Sequence, residues 1–275
     1  MTSFNIFQIY YDETTRRSLE PGFLPLDNTA NERPDWYEFW VIRNFLRKSP
    51  LAENNWYGFL SPNFYSKTGL TSKTIRDFLE VAKDQCDVAL ISFAWDQVAY
   101  FQNPFEQGEI WHPGIANLSQ SVIRHLGYDI DLSKMVTHSQ NFTFSNYIIA
   151  KPSYWREWQA VADNLFSLIE DQSSDLSESL KRLTSYGSLA RQAPIKAFIQ
   201  ERLPSIILSG DKFRVATLDS SATFPIFDKL FDVDRYTRGL LQTCDLLKQK
   251  YCRSRSQRYL DLYREIRGLV SLKAI

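Results

Sequence analysis

Glu38, Arg43 and Asn44 stand where polar side chains have least reason to be. Residues 35–48, DWYEFWVIRNFLRK, follow Pro34 and read as a helix. At about 100° per residue its aromatic and aliphatic side chains cover nearly the whole circumference. A helix apolar all round is a buried helix, so each polar group on it needs a partner. Glu38 and Arg43 are five residues apart, a poor helical spacing for pairing with each other. Glu38 is therefore either satisfied inside the fold or turned toward a ligand. The planar donor fork of Arg43 suits a ligand phosphate or carboxylate.

The other chemistry-bearing residue types narrow the field. His112 lies in an aromatic loop, EIWHPG, His125 falls within a helix as a structural residue, and His138 precedes a strand. There is no H-E-x-x-H, no serine elbow and no Cys–His nucleophile pattern, so hydrolase chemistry has little support. Cys86, Cys244 and Cys252 are too few and too scattered for a disulfide framework, and no Cys/His pair completes a zinc site. A reducing, cytoplasmic setting fits this usage.

The elements that must position these groups alternate between strand and helix. SFNIFQIYYD reads as a first strand ending at Tyr11 and Asp12, ETTRRSLEPG as a short helix, and FLPLDNTA as a second strand. After the 35–48 helix come a third strand, WYGFLSP, and a helix, SKTIRDFLEVAKDQ, with Ser72 as its N-cap. DVALISF makes a fourth strand and leads into an irregular stretch, AWDQVAYFQNPFEQGEIWHPG. IANLSQSVIRHLG is a helix, NFTFSNYIIAKP a fifth strand, and SYWREWQAVADNLFSLIE a helix after it. Residues 171–193 are polar and serine-rich, a mobile loop or a partly helical excursion over a site, and PIKAFIQERLPSIIL resumes as one helix. Such alternation predicts an α/β sheet with helices packed on it.

The bulk numbers exclude several classes. The 275 residues suffice for one large domain or two small ones, and Lys plus Arg equals Asp plus Glu at 32 each. Whole-molecule charge thus gives no case for nucleic acid. Aromatics reach 15%, enough for large aromatic packing or for platforms under sugar rings and bases. No G-x-G-x-x-G follows the first strand and no phosphate loop appears. The N-terminus lacks a signal pattern, and no apolar run approaches bilayer length, so a soluble or peripherally attached protein is expected. Apolar residues from Leu240 to Val270 have helical spacing with a basic opposite face that includes Lys248, Arg255 and Arg264. That face is solvated, or it meets anionic lipid or a phosphate-bearing substrate.

The order of segments resembles a GT-A-type glycosyltransferase, most like the family of bacterial capsule and O-antigen loci long catalogued as a domain of unknown function. The matching text is LDNTANERPDWYEFWVIRNFL, then NNWYGFLSPNF, FSNYIIAKPSYWREW and FIQERLPSIIL, over roughly residues 5–215. The resemblance implies a GT-A-like (Rossmann-like) mixed sheet flanked by helices over residues 1–215, with a C-terminal helical extension over 216–275. It also implies a UDP-linked sugar donor and a glycan or lipid-linked glycan acceptor. The protein would then be cytoplasmic, at the inner face of the plasma membrane if the basic helix touches lipid, with no nucleic-acid partner. In that family the third strand here commonly ends in Asp-x-Asp, which holds a divalent metal. In this chain it ends in Ser61, Pro62 and Asn63, which leaves metal use open. Arg43, Lys67 or a residue of 171–193 could meet the diphosphate charge instead.

Residue by residue, the resemblance sets the base and ribose near Tyr10, Tyr11, Asp12, Asn31 and Glu38. Diphosphate and sugar fall near Arg43, Ser61, Asn63 and Lys67, and the acceptor near Trp95, Trp111 and His112. Asp96 and Glu201 are the two candidate general bases if the reaction inverts configuration. The alternative is a non-catalytic binding or scaffold protein on a degenerate transferase fold.

Overall fold

The computed structural model describes residues 2–171, 173–188, 191–221 and 224–273, without the side chains at 186–188 and 191. Its centre is a six-stranded mixed sheet built from β1 (Phe4–Tyr10), β2 (Leu24–Asp27), β3 (Trp56–Leu60), β4 (Val88–Leu90), β5 (Ile148–Ala150) and β8 (Val215–Thr217). The strand order is β2-β1-β3-β5-β4-β8. β1 runs parallel to β2 and β3, β4 runs parallel to β8, and β5 is antiparallel to β3 and β4. The carboxyl ends of five strands and the amino end of β5 therefore share one edge. This is an α/β architecture compatible with a Rossmann-like fold.

Period-two alternation explains why both faces are covered. Tyr57 and Phe59 of β3, Val88 and Leu90 of β4, and Ile148 and Ala150 of β5 enter one core with helices α2 (Tyr37–Lys48) and α8 (Pro152–Glu170). Their alternates Trp56, Leu60, Ala89 and Ile149 enter a second core beneath α4 (Ser72–Ala82). Gly58 is required at the β3–β5 contact, because a Cβ there would lie 2.7 Å from Cγ1 of Ile149. The short α1 (Glu13–Arg17) follows β1, and α3 (Phe64–Thr68) follows β3.

Several elements differ from the sequence expectation. Residues 94–114 are not irregular: they form α5 (Trp95–Tyr100) and α6 (Pro104–Trp111). Asn103 caps α6 by accepting from the amides of Phe105 and Glu106, and Pro104 occupies the first helical position. Helix α7 (Ile115–His125) then follows. Thr71, not Ser72, caps α4 by accepting from the Thr74 amide. The 171–193 stretch contains α9 (Asp175–Lys181) and a hairpin of β6 (Leu183–Ser188) and β7 (Arg191–Pro194). The single helix expected over 194–208 is two, α10 (Ile195–Gln200) and α11 (Leu203–Leu208). Pro204 has no amide proton to give Gln200 and its ring crowds that carbonyl, so the chain turns at Glu201 and Arg202.

Residues 216–275 contribute α12 (Arg235–Ser254) and α13 (Gln257–Gly268), a hairpin reversed at Arg255 with φ 56°. The division expected at residue 215 falls inside β8, and Leu241 of α12 shares a core with Val98 of α5. Lys248, on the face read as basic and solvated, is fully buried and donates to the carbonyls of Val98 and Phe101 at 2.5 and 2.6 Å. Among the described residues no helix is long and apolar enough to cross a membrane.

Candidate functional site

Three side chains from distant parts of the chain meet beyond the carboxyl ends of the strands. α2 presents Glu38, α3 presents Lys67, and the α10–α11 turn presents Glu201. Both carboxylates are enclosed by protein, while their residues keep partial solvent access. No side chain of the described residues holds either of them by a hydrogen bond or close ion pair. Burial pushes the Glu38 carboxyl above its usual range, against its own amide and the Lys67 charge. Burial pushes Glu201 up to about 7; Lys67 and Arg202 pull it down, and the Glu38 charge pushes it further up. A carboxyl group that changes protonation near neutrality is suited to proton transfer.

The cations around this pair differ in kind. Lys67 is exposed, its ammonium 5.6 Å from the ring centre of Phe93. Arg202 is buried and donates to the carbonyls of Pro104 and Phe198 at 2.8 Å each and to Oε1 of Gln107 at 2.6 Å. Gly108 makes room for it, since a Cβ there would come within 3.0 Å of Arg202 Nε. Burial lowers Arg202 to about 10, with Glu201 opposing, so it stays charged at neutral pH as a fixed cation beside Glu201. His112 was expected near the acceptor, in an aromatic loop. Instead it is buried with its ring stacked on Phe198 at 3.6 Å between centroids. Burial, reinforced by the Arg202 charge, holds His112 at about 3, so it is neutral, and its Nδ1 has no partner.

The strand ends supply the rim. Ser61 Oγ lies 2.9 Å from the Tyr147 hydroxyl, and Asn63 is exposed at the start of α3. Gln8, which sequence reasoning passed over, fixes this strand end. It is fully buried, donates to the carbonyls of Ser61 and Pro62 at 3.3 Å each, and accepts from the Glu20 amide at 2.8 Å. A lone amide inside the apolar FNIFQIY was its signal. The Tyr10 hydroxyl is raised chiefly by its hydrogen bond to Asp27, at the end of β2. Asn31, at φ 38°, closes the following turn and accepts from Asn28 Nδ2 at 3.4 Å. Tyr11 is half-buried against the first core. Asp12 is occupied as the N-cap of α1 in a capping box with Thr15.

Other expected site residues are engaged elsewhere. Arg43 is buried, with Nε 2.6 Å from Asp163 Oδ1 and its guanidinium 4.1 Å from the Phe166 ring centre. It joins α2 to α8 and is not free to meet a phosphate. Asp96 is 1% exposed and accepts from the Phe227 amide at 2.5 Å and the Gln97 amide at 2.8 Å. Burial raises its pKa against those bonds, and the two amides tie it into the fold, which removes it as a general base. Trp95 donates to the carbonyls of Phe224 and Pro225 at 3.3 Å each. Trp111 is half-buried with its ring 6.4 Å from Phe227.

Arg43→Met is expected to cost about 2 kcal/mol, because it removes the 2.6 Å bond to Asp163, which keeps only Arg47 at 3.9 Å, and takes the cation from Phe166. Chemical denaturation should show the loss as a lower midpoint. Ligand binding at the Glu38–Glu201 pair should be unchanged, which separates a packing role from a phosphate-binding one.

The fold and site together define an α/β protein with two partly enclosed carboxyl groups and one open lysine at the carboxyl edge of its sheet. Among the described residues no three His, Cys, Asp or Glu side chains gather as a metal centre requires. Comparison with family models, curated proteins and solved structures gives no match to this chain.

Proposed function

We propose that the protein is a GT-A-type glycosyltransferase that moves a sugar from a nucleotide-sugar donor to a glycan acceptor. The observation that carries this reading is the placement of Glu201, a carboxyl raised by burial to about 7 within reach of the Glu38 and Lys67 charges. The mixed sheet, with one antiparallel strand among parallel neighbours, supports the GT-A form. In this reading Glu201 accepts the proton of the acceptor hydroxyl. The hydroxyl oxygen bonds to the anomeric carbon, and the bond from that carbon to the diphosphate breaks, its electron pair leaving with the nucleotide. The configuration inverts. Lys67 stands where the growing charge on the diphosphate needs a counter-ion. The β3 end, Ser61, Pro62 and Asn63, with Ser61 turned to Tyr147, brings no carboxylate of its own to a divalent cation. Glu38 and the Tyr10–Asp27 rim lie toward the base and ribose. The sequence resemblance further favours a UDP-linked donor and a bacterial surface polysaccharide, O-antigen or capsule, as product.

The same strand end supports a second reading, a binding or scaffold protein on a degenerate transferase fold. Thermal unfolding separates the two. With UDP-sugars at a hundredfold excess over the dissociation constant, the transferase reading expects about 2.7 kcal/mol of added stability. The shift should persist in chelator. A folded protein that shows no shift with any nucleotide-sugar favours the scaffold.

A further inference from the structure

A cavity opens beyond the ends of β4 and β8. Ser92 lines it, while the next residue, Phe93, lies beneath the Lys67 ammonium. α5 and α12 close its flanks with Trp95 and Asp245, and the segment after β8 supplies Asp219 and Ser220. Its volume is about 430 Å³, within the range of small-molecule sites.

The chemistry of the lining is selective. Trp95, Val98, Leu218 and Leu246 give the walls apolar faces, hydroxyl, carboxamide and carboxylate groups lie between them, and no lysine, arginine or histidine is among the described lining residues. Cations packed in this region are turned away. Arg238 sits on the Trp95 ring at 5.0 Å and donates to the carbonyls of Ser221 and Phe224. Lys248 is spent on the carbonyls of Val98 and Phe101. The acceptors, in contrast, are held in place with capacity to spare. Asp245 takes the Ser139 amide at 2.9 Å, the Ser139 hydroxyl at 2.7 Å and Gln249 Nε2 at 2.7 Å. Three bonds leave one of the roughly four acceptor positions of a carboxylate. Gln242 gives its Nε2 to the Ser221 hydroxyl at 3.1 Å, which orients its Oε1 as a further acceptor.

We propose that this cavity binds a neutral polyhydroxylated ligand, a sugar ring or short glycan, and rejects anionic ones. Hydroxyl groups can donate to the fixed carboxylate and carboxamide acceptors and accept from serine hydroxyls. A phosphate or uronate would face Asp219 and Asp245 with no cation among the described lining residues to donate to it. The inference stands on this lining alone. Joined to the transferase reading, which it does not need, the ligand is the acceptor.

Saturation-transfer NMR on the full chain without nucleotide tests this, using methyl glucoside, methyl galactoside and methyl N-acetylglucosaminide, singly and as β-linked disaccharides. Glucuronate and glucose 1-phosphate serve as anionic probes. At least one neutral probe is expected to bind with a dissociation constant on the order of 1 mM, and neither anion. Gln242→Ala should weaken that binding at least fivefold. Leu246→Arg, at an exposed rim position, should weaken it too and admit glucuronate. A Lys67→Met protein should bind the neutral sugar as the parent does, so loss of the nucleotide site and loss of this site are read independently. Binding of glucuronate as tight as that of the neutral sugars, or no neutral sugar bound, overturns the proposal.

Discussion

Glu201→Gln is expected to make the protein more stable and to abolish sugar transfer. The two effects share one cause. Burial raises Glu201 to about 7 from the 4.5 of a free glutamate, so the folded protein disfavours its charged form. Between those values the native state holds a proton that the unfolded chain has lost, and stability falls as pH rises. Above about pH 7 the full penalty stands, up to about 3 kcal/mol, less what partial solvent access screens. Glutamine carries no such charge. The gain in stability should be near zero at pH 4, grow through the window and reach its plateau by pH 8, as followed by denaturant midpoints at each pH. Transfer should fall by about 10²–10⁴, the share a positioned base contributes. In the parent protein kcat/KM should climb through about pH 7 as Glu201 ionises. A variant that is stabilised but still transfers at the parent rate would remove Glu201 from the chemistry and leave it a strained structural carboxylate.

Glu38 and Arg43 carried the same signal in the sequence, a charge inside an aromatic helix, and the structure gives them opposite fates. Arg43 points at α8, where Asp163, 120 residues further along, meets it at 2.6 Å. Glu38 points at the sheet edge, where no side chain holds it. Which way a helix face turns follows from the partner helix, and that partner is set by topology. Glu201 was legible as a residue type, but its protonation was not. Its environment is made by Pro204, which breaks the helix locally, and by Glu38, Lys67 and Arg202, two of which come from other segments. The first five strands of the sheet were the legible part, because apolar runs between turn residues need only local pattern, whereas β8 and the β6–β7 hairpin were not expected. The Asn-Pro pair at 103–104 was a readable helix start inside a stretch taken as irregular. The cavity between α5, α12 and the β8 end could not be read at all, since its lining is gathered from four separate segments.

Lys67→Met should weaken nucleotide-sugar binding by about 10–100-fold, the effect of deleting one charge-assisted contact to a diphosphate. The fold should survive, because Lys67 is exposed, donates to no described side chain and lies in a short helix closed by Gly69 at φ 65°. A second consequence follows for the carboxyl pair. The Lys67 charge pulls down both Glu38 and Glu201, so its removal lets both rise. The kcat/KM profile should therefore move to higher pH together with the loss of donor affinity. Salt should shrink the pH displacement, because an open lysine acts through solvent that ions screen within about 10 Å at 0.1 M. Lys67→Arg keeps the charge and should recover most of the pH profile, though not the full affinity, since its planar fork meets phosphate oxygens differently from an ammonium. Calorimetric titration with the donor and a pH–rate series on the three proteins decide the matter. Unchanged affinity and an unshifted profile in the methionine variant would show that the lysine only covers Phe93. A shifted profile with unchanged affinity would confine it to tuning the carboxyl pair, with the diphosphate held elsewhere along the strand ends.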